Sequence, residues 1–244
     1  MVDSTILYGS GIIFVAFFIR ALTGFGAGLI SIPLLALFWE LQFVVPMQLL
    51  LEVAISVLLL PKVHKDVDYH HVGSLLIGMF VGNMCGAFTL AFGDQELLKG
   101  VLAGVVLLFS IYLAMTAKKS VQLKIPYRWG IVFGLCGGFF GGAFGMSGPI
   151  VMLYLAHQIS DKTRLRATVI ALFFFASAWT GVANWWNGLY SRETFRVLLL
   201  LMPAFLLGTA LGNWAHFRTS EVAFRYAIAA ILFSSAMLLI FVGM

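Results

Sequence analysis

Charge is what this sequence most lacks. Only 10% of its 244 residues are Asp, Glu, Lys or Arg, against 61% hydrophobic residues and a mean hydropathy of +1.02. That is far too little polar surface to cover a water-soluble globule, so a soluble domain is excluded and no nucleic-acid partner is expected. Cysteine is scarce as well. Cys85 and Cys136 both fall in apolar runs, without metal-ligand spacing or a pairing pattern, and read as buried free thiols. His64, His70, His71, His157 and His216 show no spacing that makes a metal site. No G-x-x-x-x-G-K-[ST] loop occurs, so nucleotide-driven work is not expected, and no cofactor is implied. The opening MVDSTILYGSGIIF has no basic segment before its apolar run, and that run is too long for a cleaved signal peptide, so it reads as part of the mature fold.

What the sequence has instead is long apolar runs, at residues 5 to 38, 43 to 60, 72 to 92, 97 to 116, 129 to 156, 167 to 187, 194 to 215 and 222 to 243. Most match the roughly 20 residues that a helix needs to cross a bilayer. Barrel strands would instead alternate in segments of about ten residues. The expectation is an all-α polytopic membrane protein. Its apolar exterior suits either the lipid bilayer or another subunit of a homo-oligomer.

Glycine is the second abundance, and it is patterned. FGAG, Phe25 to Gly28, interrupts the first run, and FGMS, Phe144 to Ser147, interrupts the fifth, 119 residues later. IGMFVGN ends at Asn83 and LGTALGN ends at Asn213, an offset of 130 residues. Two repeats of four apolar segments follow: residues 1–117, a basic cytoplasmic linker at 118–128, and residues 129–244. Internal symmetry of this kind is common in transporters. The plainer reading of Gly78/Gly82 and Gly208/Gly212 is close helix packing.

The basic residues choose between two topologies. If all eight runs cross, the loops divide Lys and Arg eight against six, which marks no side. If runs one and five are broken helices that enter and leave on the same face, eleven of the fifteen fall on one side, three on the other, and Arg20 lies within the membrane. Short-loop Lys and Arg mark the cytoplasm, so the second topology is expected, with both termini outside. Each half then makes three complete crossings, which inverts the second repeat relative to the first. The two re-entrant segments dip in from opposite faces and their tips can meet near the midplane, where inverted-repeat transporters place their sites. Broken backbone is tolerated at that depth only where it lines a cavity or is buried in protein.

The chemistry of such a place follows from helix ends. The half-helices restart near Ala27 to Leu29 and near Ser147 to Pro149, with Ser147 or Gly148 suited to the cap and Pro149 to the first turn. Free N–H groups and the positive ends of two dipoles would face the pocket, an arrangement that suits a small anion. The expected binding set is the backbone around Gly26, Ala27, Gly28, Gly145, Met146, Ser147 and Gly148, the Ser147 hydroxyl, the Arg20 guanidinium, and Phe25 and Phe144 as walls. Arg20 can equally snorkel or neutralise a buried carboxylate such as Glu52. Glu52 can carry protons, or only pair with Arg20 or Gln48. Asn83 and Asn213 suit either pocket or interhelical hydrogen bonds, and the second is the plainer reading. Trp179, Trp185 and Trp186 read as interfacial anchors.

These passages resemble a known family. GFGAGLISIPLL, VHKDVDYHHVGSLLIGMFVGN, GGAFGMSGPIVMLYL and RATVIALFFFASAWTGVANWWNG occur in the order found in the sulfite exporter TauE/SafE family, over nearly the whole chain. The resemblance implies a bacterial or archaeal inner-membrane exporter of small sulfur-containing anions, sulfite or organosulfonates, built from two related halves. Together with the pocket it makes a secondary transporter the leading expectation and an anion channel the alternative. An enzyme is the weakest reading. GMSG, Gly145 to Gly148, looks like the nucleophile motif of rhomboid proteases, which also need a histidine in a later helix, but the only histidine that could serve as one is His216, at the end of the seventh run and too far from a serine at depth.

Overall fold

The computed structural model describes residues 2–116, 125–215 and 221–242. Most of the expected basic linker at 118–128 lies outside the described residues, as does His216. The first half consists of α1 Val2–Thr23, α2 Ala27–Leu35, α3 Leu41–Val63, α4 Tyr69–Phe92 and α5 Gln95–Thr116. The second consists of α6 Trp129–Phe144, α7 Gly148–Gln158, α8 Lys162–Trp186, α9 Arg192–Ala215 and α10 Glu221–Val242. A single 3₁₀ turn, His64–Asp66, follows α3, and no strand occurs among the described residues. Six of these helices are long and apolar enough to cross a membrane.

Runs one and five are each divided at their glycines, into α1 and α2 and into α6 and α7. Gly24 and Gly26 hold φ of +91° and +99°, and Gly145 holds +61°, a left-handed backbone that only glycine adopts without strain. Each pair then folds back on itself. Tyr8 near the start of α1 stacks on Phe38, with ring centroids 6.1 Å apart, and Trp39 packs on Gly9. At the corresponding place in the second half, the Tyr154 hydroxyl donates to the Tyr127 carbonyl at 3.0 Å and Gln158 Nε2 to the Ile125 carbonyl at 2.6 Å. Both pairs are therefore helical hairpins whose open ends are tied together and whose tips are the glycine breaks. The two are unequal in length. α1, with 22 residues, is long enough to cross unaided at about 33 Å, whereas α6, with 16, reaches about 24 Å.

The packing partners are exchanged between the halves: α1 lies on α9, α6 on α4, α3 on α8 and α5 on α10. Glycine sets two of these contacts. Gly78, Gly82 and Gly86 of α4 interleave with Gly134, Gly138 and Gly142 of α6, so closely that a Cβ at Gly82 would fall on the Leu135 carbonyl and one at Gly142 on the Asn83 carbonyl. Gly208 and Gly212 of α9 sit on the Phe14 and Phe18 carbonyls of α1 in the same manner. Contact positions rise together along both partners, so each pair is parallel. The packing reading of the GxxxGN stretches thus holds for all four glycines. One expectation fails. Cys85 and Cys136 are free but exposed rather than buried, because the glycine faces of α4 and α6 take the interface and turn the thiols outward.

Candidate functional site

The tips of the two hairpins touch. Gly28, in the first turn of α2, lies against the Gly145 carbonyl so closely that a Cβ there could not be placed. Around this contact is a chamber lined by Gly26, Gly28, Gly145, Met146, Ser147 and Gly148 from the breaks, and by Glu52, Asn83, Phe173 and Thr180 among others from α3, α4 and α8. Glu52, Asn83 and Phe173 all lie near the middle of their own helices. The chamber offers about 30 Å³, more than the roughly 10–15 Å³ that a single water requires.

Two helix starts open on this chamber. α2 begins after Gly26 and α7 after Ser147, with Pro149 in the first turn where a missing N–H costs nothing. Neither start is capped by a side chain. Their first amides therefore keep N–H groups without intrahelical acceptors, and both dipoles place positive potential at the chamber. The Ser147 hydroxyl, expected as a cap or as a donor to the anion, makes no cap and stands on the wall. At the end of α6 the amide of left-handed Gly145 donates to the Gly141 carbonyl at 2.9 Å, an αL closure, and the Met146 amide returns to the Phe140 carbonyl at 3.2 Å, which together fix the turn.

Charge arrives from one side only. Arg20, fully buried, donates from Nε to Glu52 Oε2 at 2.9 Å, and its guanidinium carbon lies 5.3 Å from the centre of the Phe173 ring. Its Nη1 and Nη2 have no hydrogen-bond partner. The carboxylate lines the chamber while the guanidinium stands behind it, so the pair presents its negative member first. Pairing with Glu52 is thus the local role of Arg20 in this conformation. Gln48 lies deeper, accepting from the Ser31 hydroxyl at 2.9 Å.

The breaks do not use every expected residue alike. Ala27 and Phe144 are buried in the main hydrophobic core, and Phe25 packs towards Gly148 from the second core cluster, so none of the three lines the chamber. Asn83 lines it, with Nδ2 donating to the Ala176 carbonyl at 3.4 Å. Its repeat counterpart Asn213 instead accepts from Arg166 Nη2 at 3.5 Å, and the same nitrogen donates to the Ala21 carbonyl at 2.7 Å. Trp185 and Trp186 are exposed near the end of α8, while Trp179 stacks on Phe80.

Residues the sequence reading passed over are Phe173, Ala176, Ser177 and Thr180, all on one face of α8, together with Arg166 and Thr23. The α8 set could have been found, since positions i, i+3, i+4 and i+7 combine small and hydroxyl side chains within an apolar helix. Thr23 had no such signal. Its hydroxyl donates to the Ile19 carbonyl at 2.8 Å and the Phe25 carbonyl at 2.7 Å, stapling the first break.

A cavity between two broken helices in a bundle of apolar helices is shared ground for many carriers, and the comparison with known proteins narrows it. The family profile described as sulfite exporter TauE/SafE matches residues 10–239. The chain belongs to this family. A TauE/SafE protein is a transporter, not an enzyme, so the protease reading of GMSG falls, and among the described residues no histidine lines the chamber beside Ser147. The apolar helices and the family together make it a multi-pass protein of the inner membrane. Among relatives of the TauE/SafE type, a probable sulfite/organosulfonate exporter TauE from Cupriavidus necator is 23% identical over 211 residues, 85% of this chain and 80% of that protein. No solved structure gives a significant match.

Proposed function

We propose that the protein is a secondary transporter that exports small sulfur-containing anions, sulfite or an organosulfonate, by alternating exposure of the chamber between the two hairpin tips. The observation that carries this reading is the convergence of two uncapped helix starts, α2 and α7, on one enclosed polar space. Both the name of the Cupriavidus relative and the family description support the cargo. The site is assigned to the amides after Gly26 and Ser147, the Ser147 hydroxyl and the Arg20 guanidinium, which is reached once Glu52 moves aside.

The same reading places the hairpins as re-entrant elements of two inverted repeats. In its support, α4 and α8 begin at one end of the bundle, where Arg164 Nη2 of α8 lies 3.3 Å from the Asp68 carboxylate at the start of α4. α9 begins at the other end, since it follows α8 after a short connection. The parallel pairs then put the open end of the α6–α7 hairpin beside the start of α4 and that of the α1–α2 hairpin beside the start of α9, at opposite ends. The distribution of Lys and Arg supports cytoplasmic placement of the α4 end and external termini. On this reading the chamber lies near the membrane midplane.

Export of an anion from a cell with a negative interior is driven by roughly 2.3 kcal/mol per charge per 100 mV. Saturable counter-transport would favour a carrier, and single-channel currents a pore. The deciding experiment is sulfite flux in proteoliposomes with Arg20→Ala and Ser147→Ala. Both substitutions should depress flux strongly; wild-type rates in both would remove the site. Accessibility tags at residues 1 to 4 and 40 to 45 should label from the same face, and labelling from opposite faces would end the re-entrant topology.

A further inference from the structure

Next to the polar chamber, between α4 and α8, lies a second cavity of about 400 Å³, within the range of small-molecule sites. Its walls are apolar, formed by Leu76, Met79, Phe80, Phe175 and Val182 among others, with one polar exception. That exception is Asn83, which with Ala176 lines both cavities and forms the partition between them. Phe80, Phe175 and Val182 are exposed, so the groove opens on the apolar outer surface of the bundle. Its mouth is braced. Trp179 stacks on Phe80 at 3.7 Å between centroids, and its indole N–H donates to the Phe80 carbonyl at 3.1 Å.

Resting on the transport reading above, we propose that this groove is an alkyl subsite, which holds the hydrocarbon tail of an amphiphilic sulfonate whose charged head occupies the chamber. The polar end of the groove argues for this occupant over a membrane acyl chain. Asn83 is 1% exposed, and its Nδ2 makes a single long bond at 3.4 Å. A carboxamide nitrogen carries two hydrogens, so one donor remains for an oxyanion head. The methyl end of an acyl chain would leave that buried amide unsatisfied, which costs free energy that a polar head recovers. The tail also has an apolar path from the partition to the mouth, whereas the chamber, at about 30 Å³ against about 400 Å³ for the groove, has no room for an alkyl chain. Sulfite needs only the chamber; a longer sulfonate uses both.

The test is displacement from the purified protein in lipid nanodiscs by sulfite, methanesulfonate, and butane-, hexane- and octane-1-sulfonate. Wild type is compared with Ala178→Phe and Val182→Trp, which fill the groove without touching the chamber. Affinity should rise up to about three- to fourfold per methylene until the groove is full. In the filled variants the long sulfonates should lose that gain while sulfite and methanesulfonate bind as before. Comparing variant with wild type cancels partition of the longer chains into lipid. If a filled variant does not fold, the wild-type series decides, with hexan-1-ol as the headless probe. A flat series overturns the subsite and leaves sulfite transport standing. Equal competition by hexan-1-ol or by phosphatidylglycerol assigns the groove to lipid and overturns it as well. Failure of sulfite and every sulfonate to bind removes the transport reading together with the subsite.

Discussion

The two hairpins solve the same problem by different means. The second, α6–α7, is held by backbone: three glycines of α6 mesh with three of α4, and an αL closure at Gly145 sets its tip. The first, α1–α2, also rests on backbone along α1, where Gly208 and Gly212 of α9 meet it, but towards its tip it is held by side chains: the Thr23 staple, the Arg166 bond to the Ala21 carbonyl, and the Arg20–Glu52 pair. Meshed backbones have no alternative arrangement close in energy, whereas hydrogen bonds and ion pairs can be exchanged one for another. The difference assigns the fixed wall to the second hairpin and the adjustable wall to the first.

The largest effect should come from breaking the fixed wall. Gly142→Leu places a branched side chain where the Asn83 carbonyl lies, so recovery of folded protein after detergent extraction should collapse. Gly104→Leu, which meets open space, is the control and should extract normally. Next is the ion pair of the adjustable wall. Glu52→Ala leaves the Arg20 charge buried without a partner and should cost about 3–5 kcal/mol. Combining Arg20→Met with Glu52→Leu should restore most of that loss in thermal melts while abolishing flux, separating stability from transport.

A smaller pair contrasts the tips directly. Thr23→Val removes a hydroxyl that serves two carbonyls and should cost about 1–3 kcal/mol. Ser147→Ala removes one that caps nothing, and should stay within about 0.5 kcal/mol even where flux falls. The smallest effect is at the end of the bundle, outside the crossing helices. Burial alone would push the Asp68 carboxyl up, but the His71 imidazole 3.2 Å away, the His71 amide and the Arg164 guanidinium hold it below the usual carboxylate range. A carboxyl lowered on folding contributes stability above its unfolded value near 4, and loses it as pH falls through and below that value. Acid melts should therefore show a step in wild type that Asp68→Asn lacks.

Much of the second hairpin was legible in the sequence, because glycine and proline act locally. A left-handed residue at Gly145 and a proline at the start of α7 need no knowledge of what packs around them. The first break was legible in place for the same reason, and Glu52 was already a recognised partner for Arg20 because an intramembrane arginine demands a neutralising group. Orientation was not legible. Whether Phe144 faces a chamber or a core depends on where α2 and α3 lie, and Asn83 and Asn213, at matching repeat positions, meet different partners since α8 supplies Ala176 to one and Arg166 to the other. The cysteines were misread because in an apolar helix bundle the glycine face, rather than the most apolar face, goes inside.

The meeting of Gly28 with the Gly145 carbonyl carries one last consequence. With no side chain between them, the noses of the two hairpins bear on each other through bare main chain. A displacement of one nose must therefore be met by the other, and in the export cycle proposed above this contact would be the shared pivot of the two doors.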